Sequence, residues 1–137
     1  MESSSVLIIP CSGIGKVHGL ISREAVFQAT EELGAETAGT LCLGLVVTRD
    51  EGAVQAIQTH PCITVDGCPK LCSFKNVKMA GGKIAKSVRV VDAFKEHKGA
   101  QPGTATALTD DGWAVTADIA QDLADEARLL CGAEKGA

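Results

Sequence analysis

The sequence predicts an α/β fold, a three-layer sandwich in which a mainly parallel sheet of four to five strands carries helices on both faces. Three observations lead there. Short apolar runs without polar alternation recur along the chain, as strands buried on both faces require. Between them lie segments whose apolar residues repeat at helical spacing. The two kinds alternate in the order strand, helix, strand, helix, strand, helix, strand.

Val6-Leu7-Ile8-Ile9, closed by Pro10, is the first strand, and the glycine-rich stretch CSGIGKVHG follows from Cys11 to Gly19. Ser22 is placed to cap a first helix whose Ala25, Val26, Ala29 and Leu33 share a face and which Gly34 stops. Ala38 to Cys42 reads as the second strand and Leu43-Gly44-Leu45 as the turn beyond it, with extension of the strand through Val47 as the alternative. Thr48 and Glu51 have capping-box spacing ahead of a helix carrying Ala53, Val54 and Ile57, and Pro61 closes it. Ile63-Thr64-Val65 is the third strand. DGCPKLC, residues 66–72, then leads into a third helix with Pro69 in its first turn. After Gly81-Gly82, Val88 to Val91 reads as a fourth strand, followed by a short helix over Ala93 to Lys98 and an extended stretch from Thr104 to Leu108. The last helix begins near Thr109 or Thr116, presents Ile119, Leu123, Ala127 and Leu130 on one face, and runs to Cys131, where Gly132 ends it. No repeat, linker or low-complexity tract interrupts residues 1–137, which read as a single domain of the Rossmann/flavodoxin-like kind.

Composition narrows the function. Charged residues make up 22% of the 137 positions and the hydrophobic set 45%, which suits a globular chain. A formal charge of −4 argues against a nucleic-acid footprint. Lys70, Lys75, Lys78, Lys83 and Lys86 form the basic concentration and read as a solvated helix face. With 3% aromatic residues and no Tyr, a platform for stacking bases or sugars is not expected. Residues 1–5 lack a positive n-region, Val6 to Ile9 is too short for a signal core, and no apolar run approaches the ~20 residues of a membrane span. The sequence therefore predicts a cytoplasmic protein without membrane partners. There, six cysteines signify metal or redox chemistry rather than structural disulfides.

In a parallel sheet every strand-to-helix loop lies on the carboxyl rim, where such folds bind ligands. Cys11, Cys42, Cys68 and Cys72 all fall on that rim. Cys62 opens the third strand, and at about 3.3 Å per residue it starts more than a nanometre from Cys68. Zinc–thiolate bonds of about 2.3 Å do not span that gap. Cys62 and Cys131, the latter on the apolar face of the last helix, read as buried small hydrophobes. Four thiols on one rim are the donor set of a closed tetrahedral zinc site. If the third helix starts between Cys68 and Cys72, its amides and dipole favour their thiolate forms.

PCSGIGK near the start, REA on the first helix, LCLGL after the second strand and TVDGCPKLC in the middle resemble the DGC-domain family over nearly the whole chain. The resemblance implies zinc held by Cys11, Cys42, Cys68 and Cys72, the four that rim geometry selects, and no particular activity. Gly44 departs from the family pattern, which leads one to expect proline there.

Other motifs point less sharply. The glycine loop fails G-x-G-x-x-G because His18 stands at the third glycine, and fails a C-x5-R phosphate loop because Val17 stands at the arginine. Gly13 and Gly15 let the backbone approach a metal or small anion, with a plain tight turn as the competing reading. His18 is a replacement ligand or proton donor on the sharper view and a surface-loop histidine on the preferred one. His60 reads as a helix C-terminal residue, His97 as solvated, and Trp113 as a packing or helix-start residue. Asp66 either accepts hydrogen bonds from rim amides, orients a ligand, or turns the chain before Gly67. Lys16 and Lys70 offset tetrathiolate charge or are ordinary surface lysines. No Ser-His-Asp set, carboxylate pair or H-E-x-x-H supports hydrolysis. Two functional readings follow. One is a zinc-binding module with a closed four-cysteine site that serves a protein partner. The other is a thiol-based redox enzyme or persulfide/electron carrier, with a three-cysteine metal site and a reactive Cys11, or with an iron–sulfur cluster in place of Zn2+.

Overall fold

A strand with no polar face has to be covered on both sides, and β1 (Val6–Pro10) is: Val6, Leu7, Ile8 and Ile9 are fully buried. The computed structural model describes residues 6–11, 16–67 and 70–136, with side chains through Cys131. After β1 come α1 (Val17–Leu33), β2 (Ala38–Gly39), α2 (Leu43–Val47), α3 (Glu51–Thr59) and β3 (Pro61–Asp66). These are followed by α4 (Cys72–Met79), β4 (Lys83–Arg89), α5 (Val90–Ala93) and α6 (Asp110–Gly136). The strands form one four-stranded, all-parallel sheet in the order β2-β1-β3-β4. Ile8 lies opposite Ile63 and Pro10 opposite Val65, so β1 and β3 end level with one another.

Side-chain alternation divides the core into two. Val6, Ile8, Ile63 and Val65 point to the face covered by α1, α5 and α6, where they meet Ile21, Val26, Ile119 and Leu123. Leu7, Ile9 and Cys62 point to the other face, against Leu43 and Val46 of α2, Ile57 of α3 and Val77 of α4. The chain thus leaves β1 over one face and comes back to β3 over the other. β1 and β3 are neighbours whose connections diverge, and a crevice for ligands opens at their carboxyl ends. β4 is the outer strand, with Lys83, Lys86 and Arg89 exposed. Among the described residues no helix is long and apolar enough to cross a membrane.

Several boundaries differ from the expectations. α1 starts at Val17, so Ser22 is not its cap but a buried residue inside it, donating to the Gly19 carbonyl. β2 stops at Gly39, and Leu43-Gly44-Leu45 is the start of α2, where burial of Leu43 and Val46 under the sheet outweighs the β-branched content of the run. The cap of α3 is Asp50, which accepts from the Ala53 amide, while Thr48 closes α2 by donating to the Gly44 carbonyl. The fourth strand is the polar segment of β4, paired with β3 along its length. Val90 and Val91 belong instead to α5, which replaces the helix expected over Ala93 to Lys98. The stretch from Thr104 to Leu108 is a turn closed by an isolated antiparallel bridge between Gly103 and Leu108. α6 starts at Asp110 with Thr109 accepting from the Gly112 amide, and it continues through Gly132 to Gly136. His18 lies inside α1, half-buried, its ring 5.0 Å from that of Phe94. His97 pairs with Asp118.

Candidate metal centre

Cys11 is the first residue beyond β1, yet its amide still donates to the Val65 carbonyl, so the chain continues alongside β3 for one more step. This tucks the side chain inward, leaving it 6% exposed. Its Sγ accepts a hydrogen bond from the Gly67 amide at 3.2 Å and lies 3.4 Å from Ser22 Oγ. Ser22 already gives its single proton to the Gly19 carbonyl, 2.7 Å away. A neutral Cys11 therefore donates its own proton to Ser22 and accepts from Gly67. An ionised Cys11 retains the Gly67 amide, and its former proton acceptor has to turn.

The same segment explains two letters of the DGC motif. Gly67 is buried, and a Cβ there would lie 2.8 Å from the His18 carbonyl carbon and 2.9 Å from the Gly19 nitrogen. Any side chain would collide with the backbone of α1. Asp66, 1% exposed, reaches across to α4, its Oδ1 accepting from the Ser73 amide at 2.7 Å and its Oδ2 from the Phe74 amide at 3.1 Å. These are two of the orphan donors at a helix start. Leu71, just before α4, adopts a left-handed backbone with φ of 55°. That conformation costs a non-glycine residue about 1–2 kcal/mol, which the two bonds to Asp66 offset. Ser73 Oγ in turn donates to the Ile9 carbonyl at 2.7 Å, fastening α4 to β1. Burial raises the Asp66 pKa above its ordinary value, outweighing the two amides that lower it.

Cys72 is the first residue of α4 and Cys42 the residue before α2; both are exposed. A Cβ at Gly44 would meet Cys42 Sγ at 3.5 Å, an ordinary contact, so sterics do not demand glycine there. Cys11 and Cys42 line a common cavity with Arg23 and Phe27 of α1. Cys11, Cys42 and Cys72 thus all stand at the carboxyl rim. Cys68, the fourth expected ligand, lies outside the described residues, as do Gly13, Gly15 and Pro69. Among the described residues no three His, Cys, Asp or Glu side chains are gathered closely enough to hold an ion. α4 begins at Cys72 and not between the two cysteines, so its first turn holds Cys72 alone of the pair.

The remaining thiols belong to the core. Cys62 is fully buried on β3, and Cys131 is buried on α6. Burial pushes the Cys62 pKa up to about 11. Alkylation of the folded, metal-free chain, mapped residue by residue, is expected to label Cys42 and Cys72 at least about ten-fold faster than Cys62 and Cys131. Equal labelling of all four would contradict the burial described here.

Ser22, Gly67 and Ser73 escaped sequence reasoning as site residues because each acts through a partner distant in the chain, and Arg23 because only the fold sets it along the cavity that Cys11 and Cys42 line. The signals nearest to them were the REA stretch and the Asp-Gly pair, the latter open to reading as a turn.

The fold and rim define a cysteine-bearing parallel α/β domain with one thiol buried beneath the junction of β1 and β3. The family model of the DGC domain matches residues 7–111, a stretch holding Cys11, Cys42, Cys68 and Cys72, and the chain belongs to that family. No curated protein and no solved structure gives a significant match.

Proposed function

We propose that this chain binds one Zn2+ through the thiolates of Cys11, Cys42, Cys68 and Cys72, as a closed site that ties the loops after β1, β2 and β3 together. The observation that carries the reading is the hydrogen bond from the Gly67 amide to Cys11 Sγ. It joins the first cysteine to the residue immediately before Cys68, across two neighbouring strands. Amide donors to sulfur favour thiolate, the form zinc requires. Cys72 stands at the amino end of α4 on the same rim. All-sulfur donors suit zinc and iron–sulfur clusters and disfavour magnesium or calcium. Ligation displaces the Cys11 proton now shared with Ser22, so metal uptake releases protons and weakens at low pH.

A three-cysteine site with a reactive Cys11 fits less well. A nucleophile has to meet its target, and Cys11 is buried and hydrogen-bonded on two sides. Among the described rim thiols, Cys42 and Cys72 are the exposed ones.

The test is elemental analysis and an absorption spectrum after anaerobic purification. One zinc per chain and no visible absorption are expected, with most of the metal lost in Cys68→Ser and the four rim thiols protected from alkylation in the loaded protein. Zinc well below stoichiometry and unchanged in Cys68→Ser would sink the proposal. A brown, iron-containing protein would transfer the same four ligands to a cluster.

A further inference from the structure

Charge is unevenly shared along this chain. Residues 67–91 carry six cations (Lys70, Lys75, Lys78, Lys83, Lys86 and Arg89) and no carboxylate, although the whole chain holds 13 cations against 17 carboxylates. The fold keeps this segment together, because α4 packs on β4 and β4 borders the sheet. Lys86 and Arg89 are held by Glu126 and Asp92. Lys70, Lys75, Lys78 and Lys83 are exposed, and among the described residues none of them has a carboxylate partner. Lys78 Nζ lies 5.7 Å from the centre of the Phe74 ring, and Met79 beside it is 72% exposed. Cys72, Lys75 and Met79 follow one another at the three- and four-residue steps of a single helix face. The outer side of α4 thus presents cations and a large apolar side chain together.

Lys75 and Lys78, three apart on the helix, repel one another, a cost that a partner of opposite sign removes. We infer that the outer face of α4 is a docking surface for an acidic segment of a partner protein. Its carboxylates lie against Lys70, Lys75, Lys78 and Lys83, and an apolar side chain rests on Met79. Nucleic acid fits this surface less well. The eight residues of α4 span about 12 Å, whereas a phosphate chain runs on past the patch. Beyond β4 it would meet Asp92, Glu96, Asp118 and Asp122, which line the cleft beside the carboxyl end of that strand. A short acidic segment stays within the cationic area. The surface belongs to the chain with or without metal, so the inference goes beyond the zinc reading and does not rest on it. Cys72, on the same face, brings the partner beside the rim.

The experiment titrates three probes into the full chain, metal-free and zinc-treated, and follows backbone amide NMR signals. The probes are a glutamate peptide of about ten residues with a central leucine, its glutamine analogue, and single-stranded DNA of equal length. The glutamate peptide is expected to shift the amides of Lys75, Lys78 and Met79 and to bind at least about ten-fold tighter than either other probe. Its affinity should fall as salt rises, because contacts between exposed charges are screened. The double variant Lys75→Glu, Lys78→Glu should weaken the peptide about ten-fold, the effect of reversing two exposed charges. Both side chains are exposed, so the variant keeps the fold, and its circular dichroism should match that of the native chain. Lys98→Glu, outside the cationic segment, should leave the affinity unchanged. No binding of the glutamate peptide at about 1 mM overturns the inference. So does glutamine-peptide or DNA binding of equal strength, indifference to the double variant, or shifts that map to another face.

Discussion

Gly67→Ala is expected to lower the melting temperature of the metal-free chain by roughly 10 °C. The reason is geometric. The added methyl would lie within 3 Å of three backbone atoms of His18 and Gly19, and backbone, unlike a flexible side chain, has no way to swing aside. Either α1 lifts from the end of β3, or the Gly67 peptide turns and its amide leaves Cys11 Sγ. Overpacking of this kind costs about 1–3 kcal/mol, and loss of the amide–sulfur bond adds to it. Thermal melts followed by circular dichroism give the answer. An unchanged midpoint would show that α1 and the DGC segment are not in the tight apposition described.

Asp66→Ala should cost about 3 kcal/mol, because it strips both acceptors from the start of α4 while leaving the Ser73 and Phe74 amides in place. Urea denaturation measures it, and a loss below about 0.5 kcal/mol would mean that solvent replaces the carboxylate freely. The pH dependence has a definite sign. Burial raises the folded-state pKa of Asp66 above the ordinary 3.8, so in the window between those two values the folded chain holds more protons than the unfolded one. This group's contribution to stability therefore falls as pH rises through the window and is level beyond it. Asp66→Asn lacks the titration. The advantage of the native residue over asparagine should be greatest at the acid end of the window and constant near neutrality.

The centre of the fold was legible in the sequence because burial on both faces leaves an unmistakable composition. β1 is the apolar run VLII with Pro10 added and β3 is ITV with Pro61, Cys62 and Asp66 added, and their parallel pairing follows from the helices between them. The core positions of Cys62 and Cys131 followed from strand length and helix face. The sequence offers Asp66 as an acceptor of rim amides, and it accepts from those of Ser73 and Phe74. The periphery was less legible, because there tertiary contact overrides local pattern. β4 is KIAKSVR, too polar to announce a strand, and pairing with β3 is what makes it one. Val90 and Val91 have the composition of a strand but end it, since Val90 is buried on the α1–α6 face. LGLVV became α2 because a short helix buries Leu43 and Val46 together. The start of α1 was misplaced for a reason that concerns the site. The helix has to reach back to Gly19 for Gly67 to rest against it, and no local spacing signals that meeting.

Placing the polar strand at the outside of the sheet has a consequence for how chains meet. An unpaired strand invites another chain to join it, and proteins commonly discourage this with charge or brevity. One flank here ends in a strand of two residues, the other in a strand carrying Lys83, Lys86 and Arg89 in solvent. There Lys86 lies 3.8 Å from Glu126 and Arg89 is paired with Asp92 at 3.0 Å, so a second copy joining that flank would have to disturb these ion pairs and bury Lys83, which opposes lateral growth of the sheet.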